Sequence, residues 1–87
     1  MCTYLTENIK ITGSGKGTAG WFALSDAAVY FDHPVHAAAE HSLNIDFRNP
    51  AKGASARVAV ELTAESAREL IRAIEAALAA APPELVA

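Results

Sequence analysis

The stretch Arg57-Val58-Ala59-Val60-Glu61-Leu62-Thr63-Ala64-Glu65-Ser66-Ala67-Arg68-Glu69-Leu70-Ile71-Arg72-Ala73-Ile74-Glu75-Ala76-Ala77-Leu78 decides the fold, because its hydrophobic period changes partway along. Up to Leu62 the apolar residues alternate, as on a half-buried strand, with Val58, Val60 and Leu62 toward the core. From Ala67 onward they recur at helical spacing. Ala67, Leu70, Ile71, Ile74, Ala77, Leu78 and Ala81 form one stripe, while Arg68, Glu69, Arg72 and Glu75 fall outside it. Thr63 stands at the change, with a short hydroxyl side chain suited to an N-cap, and Pro82-Pro83 end the helix. At about 1.5 Å per residue the helix runs about 27 Å, enough to cross a four-stranded sheet.

Upstream, the chain reads as β. Residues 41–48 alternate, with Leu43, Ile45 and Phe47 inward, and Asn49-Pro50-Ala51-Lys52-Gly53 is turn chemistry before the next strand. Residues 2–12 and 21–32 are two longer β segments joined by the glycine-rich stretch 13–20. Both lose phase midway: Glu7 shares a face with Leu5 and Ile9, and Phe22 and Leu24 are out of step with Val29 and Phe31. Bulges near residues 6–8 and 25–28 would restore the alternation. The fold class is therefore α+β: a four-stranded antiparallel sheet with one C-terminal amphipathic helix packed on one face, residues 1–87 forming a single domain.

Size and charge restrict the function. An 87-residue chain of 9.1 kDa buries about three-fifths of its unfolded surface, which gives marginal stability alone, and 52% of its residues are hydrophobic. A homo-oligomer, in the first place a dimer, is the expected state. A net charge of −3 with scattered basic residues argues against nucleic acid, and no apolar run is long enough for a membrane span. A lone cysteine, Cys2, forms no internal disulfide, so a reducing cytoplasm is expected.

Two stretches suggest chemistry. Gly13-Ser14-Gly15-Lys16-Gly17-Thr18 has the look of a phosphate loop, but Lys10 stands where its first glycine belongs and the strand-like Trp21-Phe22-Ala23-Leu24 follows instead of a helix. It reads as a hairpin loop. Asp32-His33-Pro34-Val35-His36-Ala37-Ala38-Ala39-Glu40-His41 holds all three histidines. A turn centred near Ala37 sets His33 opposite His41. A first hairpin turning near Lys16 and Gly17 sets Cys2 opposite Phe31, so that Cys2, His33 and His41 meet at one end of the sheet with His36 in the loop above.

One thiol and two or three imidazoles suit Zn or Cu, with Cys2, His33, His36 and His41 as the ligand set. The same cluster suits a small-molecule ligand, or a small enzyme with a histidine general base assisted by Cys2 or Asp32. An enzyme of that kind needs an apolar pocket of a few hundred Å³ beside the histidines. The plain alternatives are a loop whose histidines make ordinary backbone hydrogen bonds, and an interaction module whose dimer surface is its function.

The opening Met1-Cys2-Thr3-Tyr4-Leu5-Thr6-Glu7, the stretch Tyr30-Phe31-Asp32-His33-Pro34-Val35-His36 and Leu43-Asn44-Ile45-Asp46-Phe47 resemble a family of short, functionally uncharacterised proteins of high-GC soil bacteria. The resemblance covers nearly the whole chain and implies a bacterial cytoplasm. It implies no catalytic residue.

Overall fold

Pairing between neighbouring strands determines the architecture. The computed structural model describes residues 4–34 and 40–87, and its sheet contains β1 (Thr6–Gly17), β2 (Gly20–Asp32), β3 (Ser42–Arg48) and β4 (Arg57–Leu62). All pairs are antiparallel, and the order in the sheet, β1-β2-β3-β4, is the order in the chain. The helix α1 (Ala64–Ala80) follows β4 after a single residue.

Register aligns the apolar residues in rows. Ile9, Ala27, Phe47 and Val58 form one row, Val29, Ile45 and Val60 the next, and Phe31, Leu43 and Leu62 a third. All of these rows lie on the same face, as alternation along each strand requires. Glu7 pairs with Val29 and so stays on this face at the β1 edge, where it is exposed.

The first hairpin differs from the sequence reading. Gly17 pairs with Gly20, leaving Thr18 and Ala19 as the turn, and Gly20 takes φ +111°, a value that favours glycine. Residues 13–17 are therefore strand, not loop. Gly13 and Gly15 face Leu24 and Phe22, and a Cβ on Gly15 would sit 3.2 Å from a Leu24 methyl. The missing side chains make room for larger ones across the ladder. A register shift lies between Lys10 and Gly13, so the extra residue belongs to β1 near Ile11 and Thr12, not to residues 6–8 or 25–28. Phe22 and Leu24 accordingly occupy the opposite face of β2 from Val29 and Phe31.

The helix begins and ends as its sequence requires. Thr63 Oγ1 accepts the Ser66 N–H at 3.1 Å, and Ala81 caps the other end ahead of Pro82. Glu69 and Arg72 form an ion pair one turn apart on its polar side. It meets the sheet at β3 and β4, yet most of its apolar stripe is uncovered: Leu70, Ile71, Ile74 and Leu78 are between 41% and 56% exposed. Among the described residues, the hydrophobic ones that are buried are small: Ala27, Ala28 and Ala56.

The other face of the sheet is less solvated than its polar sequence predicts. Ser42 and Asn44 are buried there and satisfy each other, Ser42 Oγ donating to Asn44 Oδ1 at 2.7 Å. Asp46 accepts from Arg57 Nε at 3.1 Å and Nη2 at 2.7 Å, and from the Tyr30 hydroxyl at 3.3 Å. Arg48 and Arg57 are directly paired across the strands, and Asp46 offsets that like-charge contact.

Candidate functional site

The end of the sheet where β2 leaves and β3 enters brings four rings into one row. The β2–β3 register pairs Phe31 with Leu43, and its continuation sets His33 beside His41. Their imidazoles stack with centroids 4.6 Å apart at 30°. His41 lies nearly parallel to Phe31, 5.7 Å away and 9° off, and Tyr4 sits 6.3 Å from Phe31 on its other side. The predicted facing of His33 and His41 is present. Tyr4 joins them at Phe31, although the β1–β2 register continued past Thr6 sets Leu5, not Tyr4, opposite Phe31. With Thr6 paired to Tyr30, the register sums to 36, not the expected 33 or so, which removes the basis for placing Cys2 opposite Phe31. Cys2 and His36 themselves lie outside the described residues.

Hydrogen bonds orient His33. Its Nδ1 is 3.0 Å from the Glu40 carbonyl, and its backbone N–H donates to Asp32 Oδ1 at 2.7 Å. A carbonyl has no proton to give, so Nδ1 carries the hydrogen and, in the neutral ring, Nε2 keeps its lone pair. This nitrogen can accept a proton, bind a cation or accept a hydrogen bond from a ligand. Among the described residues, no three histidine, cysteine or acidic side chains group closely enough to hold a metal ion.

The ring row borders a cleft. Between sheet and helix lies a largely apolar cavity of about 510 Å³, its floor made by Val29, Phe31, Leu43 and Ile45 and its wall by Ile71 and Ile74. Arg68 is the charged residue at its lining. Phe31 belongs to both features, lining the cleft and carrying His41 against its ring. A pocket beside the histidines was a requirement of the enzyme alternative alone; the cleft adjoins them only through Phe31.

The glycine-rich stretch has no phosphate-loop geometry, because β1 runs through it to Gly17 and β2 starts at Gly20. Among the described residues, no helix is long and apolar enough to cross a membrane. A family model described as a family of unknown function (DUF6295) matches residues 1–87. No curated protein and no solved structure matches the chain.

Proposed function

Because this chain belongs to a family of unknown function, DUF6295, its own geometry must carry the reading, and we propose that it is a small-ligand-binding accessory protein. The ligand is a compact, ring-bearing molecule with one anionic or polar end. The observation that carries this is the double placement of Phe31, at the floor of an apolar cleft of about 510 Å³ and face to face with His41. Such a volume suits a molecule of drug-like size or smaller, and a few polar groups at an apolar site set its orientation. Arg68 stands at the lining for that task, and the stacked His33–His41 pair adjoins Phe31 just outside it. A bacterial cytoplasm of high-GC origin completes the proposal, supported by the alanine-rich helix and the single cysteine.

The test uses 2-naphthoate and the uncharged 2-naphthylmethanol, followed by methyl and imidazole NMR shifts. The proposal expects shifts concentrated at Leu43, Ile45, Ile74 and His41, with Phe31→Ala weakening both compounds by about tenfold, ~1.4 kcal/mol. Arg68→Ala should weaken the naphthoate alone. Shifts scattered over the surface, or none, would end the reading.

A second reading is favoured by the paired imidazoles. His33 and His41 supply two nitrogen donors just beyond the facing ends of β2 and β3, and a backbone carbonyl on Nδ1 is the usual way a protein orients a metal-binding histidine. In this reading Zn or Cu binds His33 and His41, with His36 and Cys2 as further ligands. Elemental analysis of untagged protein purified without chelator checks it: near one metal per chain, lost in His33→Ala/His41→Ala, is the expected result. An enzyme using a histidine general base at the same cleft is the third possibility, and turnover of a cleft ligand would be its signature.

A further inference from the structure

We propose that a second copy of this chain covers the apolar stripe of α1 and with it the open side of the cleft, so that the binding site is complete only in the dimer. Three quantities point there. The accessible surface is 6488 Å², whereas a folded monomer of this mass has about 4,900 Å². The excess of about 1,600 Å² per chain, doubled, is enough to supply an obligate dimer interface of about 2,000–5,000 Å² in total, and Leu70, Ile71, Ile74 and Leu78 contribute to it alongside exposed Leu5, Ile9, Trp21 and Leu85 elsewhere. The radius of gyration is 14.5 Å, against about 12 Å for a compact chain of this length. Among the described residues the buried hydrophobic ones are the alanines Ala27, Ala28 and Ala56, and the larger apolar side chains are at most partly covered within one chain.

The missing cover must be apolar and present whenever the chain is folded. Another copy meets both conditions, because it brings the same stripe at the same concentration. The stripe is also self-complementary. In a two-fold antiparallel contact centred on Ile74, Leu70 meets the partner's Leu78, and the intervening alanines let the helices approach closely. The charged side of α1, where Glu69 pairs with Arg72, then faces outward. Because Leu70, Ile71 and Ile74 also line the cleft, the partner helix forms its outer wall.

Native mass spectrometry and an isotope-filtered NOE experiment on an equal mixture of ¹³C-labelled and unlabelled full-length chain test this on the unaltered protein. The expected result is a mass of twice 9.1 kDa at micromolar concentration, with intermolecular contacts from the methyls of Leu70, Ile74 and Leu78. A monomer mass overturns it. So does a dimer whose intermolecular contacts come from the β1 or β4 edge. Only the clause about the completed site rests on the ligand reading: a dimer through α1 that binds neither naphthalene probe would end that reading and leave the interface in place.

Discussion

At the residue scale, two ionisable groups on the polar side of the sheet give stability a predictable pH dependence. Hydrogen bonds from Lys10, at 2.6 Å, and from Ser25, at 2.7 Å, hold the Asp26 carboxyl below its ordinary value of 3.8. A carboxyl lowered by folding contributes stability that is present above about pH 3.8 and disappears as the pH falls through the folded value. Asp26→Asn should therefore flatten the acid limb of a urea-denaturation series. Tyr30 behaves in the opposite sense. Partial burial, then the neighbouring Asp46, raise its phenol above 10.0. The folded state keeps the proton that the unfolded state gives up, so stability falls as the pH rises beyond 10.0, and Tyr30→Phe should flatten that alkaline limb. Gly20 tests the tight hairpin. A Cβ there would meet nothing within 4 Å, but the φ of +111° disfavours any side chain, so Gly20→Ala should cost about 1–3 kcal/mol through backbone strain, read by denaturant midpoint.

At the element scale, the cap of α1 is the most direct prediction. Thr63→Ala removes the acceptor for the Ser66 N–H and should cost about 1 kcal/mol in thermal unfolding, while Thr63→Ser should keep most of it. This helix was legible because cap, stripe and prolines all agree on its limits. Strands β3 and β4 were legible for a similar reason: clean alternation permits one buried face. The facing of His33 and His41 followed from a turn centred near Ala37. Strand β1 was legible only as far as Thr12. Glycines at 13, 15 and 17 carry loop statistics, yet in the ladder they are the small partners that accommodate Phe22 and Leu24. Moving the turn from Lys16 and Gly17 to Thr18 and Ala19 changed which N-terminal residue meets Phe31. The burial of Ser42 and Asn44 was also hidden, since polar residues read as solvated until their mutual hydrogen bond is seen.

At the scale of the whole molecule, the proposed dimer predicts a stability that depends on concentration. A folded state that exists as a dimer should melt higher when more concentrated, by about 5–10 °C over a hundredfold range, and differential scanning calorimetry reads this directly. The sequence composition already hinted at the deficit, but how much apolar surface stays uncovered depends on the angle at which α1 leaves β4. The strand order has a further consequence, for the time course of folding. Because β1-β2-β3-β4 repeats the chain order, every pairing closes a short loop and no strand must wait for a distant partner. Sheet formation should thus appear in refolding as a fast phase whose rate ignores dilution. In the proposed dimer, docking of the apolar helices would follow as a slower, second-order phase that lengthens as the protein is diluted, so that a newly synthesised chain would have its strands in place before finding its twin.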